Sequence, residues 1–260
     1  MKRVLGIALL FGAAGCHHHV KAPGSIDPAN ALALTAPPGQ VDSLWRLAQE
    51  ERRLGQWSKV SAKCERLALE FPPGDPRIVQ ARFYLGEAQF AMGDQLAAAR
   101  EFRRVSDETP NDVLAPTALL RAGDAYADLW RKPELDPTYA QTALSTYQEL
   151  VNRYPASDAA TRARSQIDYL QGRFAYKQYR AALYYFRLKA YDSAILYLKD
   201  VVATYPRSDI APEALMKLIS AYQKLGYVED VKETCGYLRR FHPNAPGIDE
   251  SCPLEAAGPS

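Results

Sequence analysis

Five prolines, Pro72, Pro110, Pro155, Pro206 and Pro243, each close a segment of the same internal design, and that recurrence constrains the fold of this chain more than any other feature. Twelve residues before each proline stand Val60, Ala98, Ala143, Ala194 and Val231; eight before stand Cys64, Phe102, Tyr147, Leu198 and Cys235; five before stand Leu67, Val105, Leu150, Val201 and Leu238. Offsets of four and three place these side chains on one stripe of a helix. A proline ends such a helix because it has no amide hydrogen and forces the preceding residue out of helical dihedrals.

A small residue where two backbones approach, a larger apolar residue a turn later and a closing proline are the tetratricopeptide (TPR) pattern of paired helices. The upstream halves agree: Leu85-Gly86 precedes the turn Gly93-Asp94, and Leu44, Leu47, Ala48 and Gly55 lead into the first closing segment. Successive prolines are 38, 45, 51 and 37 residues apart, against the ideal of about 34. The third repeat takes its extra length from a Pro-bearing insert, Lys132 to Pro137, and the fourth from a first helix running from about Ala159 to Lys189. The fold expected is all-α, a TPR solenoid of five helical hairpins in two groups joined through that long helix. The expected domains are N-terminal repeats over 41–130, C-terminal repeats over 131–243 and a flexible tail over 244–260.

Met1-Lys2-Arg3 followed by an apolar run from Val4 to Ala14 reads as a signal peptide over 1–15, too short to span a bilayer. Ala13-Ala14-Gly15-Cys16 is similar to a lipobox, which makes Cys16 the expected lipidated first residue of the mature chain. A lipid anchor of several acyl chains would hold the chain stably on a membrane. The alternative is a secreted protein with a fortuitous cysteine. His17 follows Cys16 where an inner-membrane retention aspartate would stand, which favours outer-membrane sorting. His17, His18 and His19 read as a polar stretch beside the lipid or as a short metal-binding tract; no carboxylate accompanies them, and no metal is expected. Residues 16–40, with Pro23, Pro28, Pro37 and Pro38, form the expected flexible tether.

Without Lys2 and Arg3 the remainder carries thirty basic and thirty acidic residues, so the basic excess of an electrostatic nucleic-acid binder is missing. No phosphate loop, CxxC, HExxH or calcium-loop spacing occurs, and His242 stands at a helix end far from any nucleophile. These observations point to a non-enzyme without cofactors whose function lies in binding surfaces. Cys64 and Cys235 fall in the large apolar column, where a buried thiol is the default. An exported chain meets an oxidising compartment, and there Cys235 and Cys252 are a possible disulfide that pins the tail.

The lipobox, the Pro-rich tether and the five repeats together resemble the BamD family, lipoproteins of the outer-membrane β-barrel assembly machine. The resemblance is strongest from Asp136 to Phe241, through Asp136-Pro137, Tyr154-Pro155 with Ser157, Tyr169-Leu170, Ala181 with Tyr184-Tyr185, Tyr191-Asp192-Ser193-Ala194 and Tyr205-Pro206 with Ser208. Cys64, Cys235 and Cys252 stand outside that pattern. The resemblance implies a non-enzymatic scaffold, anchored in the outer membrane and facing the periplasm. Its implied partners are the POTRA domains of the barrel-forming subunit, unfolded outer-membrane proteins and accessory lipoproteins.

By repeat phase, Trp45, Gln49, Arg52, Phe83, Glu87, Phe90 and Asp124 are expected in a client groove lined by first helices, with Trp45, Phe83 and Phe90 either offered to the client or packed between helices. Arg180, Tyr197, Lys199 and Arg207 in repeats four and five are the expected partner-docking residues. Tyr197 stands where the family carries a basic residue, and Lys199 is the candidate substitute. A periplasmic TPR lipoprotein serving division or peptidoglycan factors shares the same signature, and co-purifying proteins separate the two readings.

Overall fold

The computed structural model describes residues 38–252. The signal peptide, Cys16, the histidine tract and most of the tether lie outside them. Ten helices pair into five hairpins: α1 (Pro38–Arg53) with α2 (Trp57–Glu70), α3 (Arg77–Ala91) with α4 (Gln95–Glu108), α5 (Ala115–Asp128) with α6 (Thr138–Arg153), α7 (Asp158–Arg187) with α8 (Tyr191–Thr204), and α9 (Ala211–Leu225) with α10 (Val228–Phe241). A short α11 (Ile248–Ser251) follows, and there is no strand among the described residues. The molecule is an all-α TPR solenoid. Helix α1 opens at Pro38, three residues inside the segment expected as tether, because a proline costs nothing in a first helical turn.

The closing prolines act through the residue before them. Phe71 leaves the helix at ψ 138°, and Thr109, Tyr154, Tyr205 and His242 leave it at φ between −127° and −135°. Each still donates its amide to the carbonyl four residues back, at Leu67, Val105, Leu150, Val201 and Leu238, so the helix ends with that bond satisfied. The turn is left-handed in four of the five hairpins, at Gly55, Gly93, Lys189 with φ 60°, and Gly226.

In the first four repeats the stripe residues are the core, whereas in the fifth Val231 and Cys235 are half-buried. Val60, Ala98, Ala143, Ala194, Cys64, Phe102, Tyr147, Leu198, Leu67, Leu150 and Val201 are fully buried. In three repeats the large residue stands opposite a small one sixteen positions earlier on the first helix: Ala48 with Cys64, Gly86 with Phe102, Ala182 with Leu198; in the fifth that position is Ile219. In the third repeat the insert lengthens that interval, and Gly123 meets Tyr147. A Cβ on Gly86 would come within 2.8 Å of the Phe102 ring, and one on Gly123 within 2.4 Å of the Tyr147 ring. Where the partner is aromatic, then, glycine is the residue that lets the hairpin close.

Helix α7, 30 residues and so about 45 Å long, threads two cores. Leu170 and Phe174 pack with α5 and α6, whereas Ala175, Tyr179 and Ala182 pack with α8 and α9. The insert of repeat three folds back onto it. Trp130, fully buried, donates its indole N–H to the Leu135 carbonyl at 3.3 Å, and the Lys177 ammonium bonds the carbonyls of Pro133, Glu134 and Leu135 at 2.9, 3.3 and 2.8 Å.

The segment after Pro243 was expected to be loose, yet it is ordered through Cys252. Ala245, Ile248 and Cys252 lie against Leu215, Ile219 and Leu238. Cys235 and Cys252 are joined by a disulfide. Among the described residues no further hairpin covers α10, and residues 243–252 take that place.

Candidate functional site

First helices of successive repeats lie side by side and form one continuous face. At its N-terminal end Trp45 and Phe83 are removed from solvent, each 7% exposed. Trp45 stacks on Tyr84 at 5.5 Å and meets Phe71 edge-on at 5.9 Å, while Phe83 meets Phe102 edge-on at 5.3 Å. Both therefore belong to the core and not to the groove. Burying so large an apolar area between neighbouring helices is worth more than leaving it at a wet surface.

Arg52 and Glu87 pair bidentately at 2.6 and 3.1 Å, tying α1 to α3, and the guanidinium lies over the Tyr84 ring at 4.3 Å. Gln49 is half-buried on the same face. Further along, Arg121 covers the half-buried Phe90 ring at 4.4 Å and approaches Asp124 at 3.4 Å. The Tyr147 hydroxyl donates to Asp124 at 2.8 Å. Burial pushes the Asp124 carboxyl above the ordinary aspartate range against the pull of those two partners, and burial pushes the Tyr147 phenol up as well.

Here the face deepens into a hollow of about 460 Å³ where α3, α5 and α7 converge, with Phe90, Asp124, Trp130, Tyr169 and Arg173 in its wall. Arg173 lies over the Trp130 ring at 4.4 Å and Tyr169 is 59% exposed, so aromatic surface and positive charge alternate along α7. Of the expected groove residues, Phe90 and Asp124 reach this hollow. Trp130, Tyr169 and Arg173 were not anticipated. The i, i+4 spacing of Tyr169 and Arg173 on a helix whose apolar stripe lies elsewhere is the signal that finds them.

The four residues of repeats four and five do not form one patch. Arg180 is exposed and lies 3.6 Å from Glu134 of the insert and 3.3 Å from the Tyr176 hydroxyl. Tyr197 stacks on Tyr185 of α7 at 5.2 Å. Lys199, two residues on and roughly 200° round the helix, lines a groove of about 470 Å³ between α8 and α10. It cannot stand in for Tyr197. Arg207 lies after Pro206, beside Asp168 and Gln171.

Among the described residues no three His, Cys, Asp or Glu side chains converge to hold a metal ion. Cys64 is fully buried, and burial pushes its thiol up to about 12, which leaves it inert. No described helix is long and apolar enough to cross a membrane.

Comparison with known proteins supplies the family. The family model described as YfiO, outer membrane lipoprotein, matches residues 37–237, from the first turn of α1 into α10. The chain belongs to that family. Among curated relatives of this YfiO member, the outer membrane protein assembly factor BamD of Vibrio cholerae is 27% identical over 209 residues, covering 76% of this chain and 85% of the relative. BamD of Neisseria meningitidis serogroup A is 26% identical over 220 residues, covering 79% and 80%, and that of Caulobacter vibrioides is 31% identical over 142 residues, covering 54% and 47%. Among solved structures, the TPR2AB domain of yeast Sti1 in a pHSP90 complex aligns with TM-score 0.45 at 14% identity, covering 83% of this chain and 82% of that one.

Proposed function

We propose that this protein is a non-enzymatic scaffold of outer-membrane protein assembly. The lipid on Cys16 anchors it to the outer membrane on the periplasmic side. The first-helix face receives unfolded outer-membrane proteins, and repeats four and five dock the POTRA region of the barrel-forming subunit, with accessory lipoproteins as further partners. The observation that carries this reading is the hollow between α3, α5 and α7. The exposed Tyr169 and half-buried Phe90 stand there beside Arg173, which suits an extended segment with alternate apolar side chains and unpaired backbone carbonyls.

The groove set accordingly becomes Phe90, Asp124, Tyr169 and Arg173, with Gln49, Arg52 and Glu87 on its N-terminal approach. Arg180, Tyr197, Lys199 and Arg207 remain the docking candidates, as separate contacts. The test is photocrosslinking of a C-terminal outer-membrane-protein peptide to the purified chain. Alanine at Tyr169 and Arg173 together lowers the yield at least fivefold while the helical signal is kept. An unchanged yield rejects the hollow as the client site. Pull-down in mild detergent addresses the wider reading: a barrel protein is expected, and division or peptidoglycan factors in its place would overturn it.

A further inference from the structure

At the C-terminal end of the stack a cavity of about 710 Å³ lies against α10, and both Cys235 and Cys252 stand in its wall beside Tyr227, Val231, Lys232 and Arg239. Cys235 is half-buried, whereas Cys252 is only 2% exposed. The disulfide between them ties the tail to the last repeat across a sequence separation of 17 residues.

The tail has little else to hold it. Helix α11 is four residues long, far short of what sustains a helix by itself. Its apolar contacts come from Ala245, Ile248 and Cys252. Arg239 donates to the Cys252 carbonyl and lies 3.8 Å from Asp249, but that carboxylate is 85% exposed and the pair is screened by solvent. Closing a loop of this length by a covalent bond favours the closed form by roughly a hundredfold.

We propose that the Cys235–Cys252 disulfide is a thiol-exchange site: a dithiol enters through the cavity and attacks Cys235, and opening the bond undocks residues 243–252 while the four upstream repeats stay folded. A thiolate of the dithiol bonds to Cys235 Sγ as the Cys235–Cys252 bond breaks. Cys252 leaves as a thiolate, eased by the neighbouring Arg239 guanidinium, and takes a proton from water. The second thiol of the reagent then attacks the mixed disulfide, releasing Cys235 as a thiol and leaving the reagent as a cyclic disulfide. Two electrons and two protons pass to the protein. The undocked tail uncovers Leu238, Leu215 and Ile219, the end face of the solenoid.

The test uses the oxidised full-length chain and dithiothreitol without denaturant, followed by iodoacetamide and peptide mapping. Cys235 and Cys252 become alkylated and Cys64 does not. Amide exchange over 243–252 quickens at least tenfold, with 38–204 unchanged, and the double variant Cys235→Ser, Cys252→Ser shows the quickened exchange with no reductant. Gly236 lines the cavity and a Cβ there meets no atom within 4 Å, so Gly236→Phe narrows the entrance and slows reduction at least fivefold. Alkylation of the pair only together with Cys64, an exchange rate over 243–252 indifferent to reduction, or an unaltered rate in Gly236→Phe each overturns the proposal.

Discussion

Replacing Gly123 by alanine sets two well-measured tendencies against each other. Alanine inside a helix is favoured over glycine by about 1 kcal/mol. At this position, however, the new Cβ would lie 2.4, 2.6 and 2.9 Å from Cε1, Cδ1 and Cζ of Tyr147. The ring is fully buried and its hydroxyl is held by Asp124 at 2.8 Å, so it moves only by giving up that bond. Overpacking a tight core costs about 1–3 kcal/mol, and a hydrogen bond to a charged acceptor is worth about 1.5–3 kcal/mol. The clash and the lost bond outweigh the helical gain, and Gly123→Ala destabilises the third repeat by about 1.5–5 kcal/mol. Gly172 is the control: it lies inside α7, and a Cβ there meets nothing within 4 Å. Gly172→Ala keeps only the helical gain, about 1 kcal/mol or a little less of stabilisation. Urea unfolding followed at 222 nm should shift the two midpoints in opposite directions. Repeat four supplies the rescue, since Ala182 and Leu198 occupy the equivalent positions there. Adding Tyr147→Leu to Gly123→Ala should recover part of the loss, although Tyr147→Leu alone destabilises. A Gly123→Ala midpoint at or above the parent's refutes the steric account of the small-residue column.

Lys189 holds φ 60° at a turn where three other hairpins carry glycine, so Lys189→Gly should stabilise by about 1 kcal/mol, read as a raised urea midpoint. Burial raises the folded-state pKa of Asp124, and a raised carboxyl contributes stability that is fully present below its unfolded value and is lost as pH rises through the folded one. Asp124→Asn keeps an acceptor for Tyr147 and removes that loss. Its stability relative to the parent should therefore be greatest near neutrality and shrink as pH falls toward about 4; a difference that grows on acidification contradicts the burial argument. Lys177→Met leaves the carbonyls of Pro133, Glu134 and Leu135 without their ammonium donor. Faster amide exchange over 130–137, with α9 and α10 unaffected, is the expected readout.

The repeat frame was legible because it is written in local chemistry. A proline acts on the residue before it wherever it occurs, and a stripe at offsets of four and three has one helical reading, so Phe71, Thr109, Tyr154, Tyr205 and His242 end their helices alike. The face was harder to read because phase alone does not say whether a first-helix aromatic meets solvent or a neighbour. Trp45 and Phe83 share the repeat phase of groove residues, yet Tyr84 and Phe102 are large enough to reach them from the adjoining helices. Trp130 escaped for the opposite reason. It stands between the end of α5 and the insert, where there is no repeat phase, and only the return of residues 133–135 onto Lys177 places it against α7. The ordered tail rests on the Cys235–Cys252 disulfide, which the sequence offered only as a possibility, and on contacts of Ala245 and Ile248 that no periodicity announces.

Helix α7 would let the proposed client face and the proposed docking face move together. In a stack of separate hairpins each interface yields independently, and strain at one end decays within a repeat. Here a single helix places Phe174 in the third core and the adjacent Ala175 in the fourth, with no turn between them to absorb a rotation. The same helix presents Tyr169 and Arg173 to the hollow and, less than two turns later, Lys177 and Arg180 to the insert. A ligand that shifts α7 at Tyr169 is expected to shift the carbonyl cage around Lys177 and the Tyr185–Tyr197 stack beyond it. Coupling between the two proposed faces is expected to run through one continuous helix, and a proline placed at Gly172, which removes one of its hydrogen bonds, is the substitution that should uncouple them.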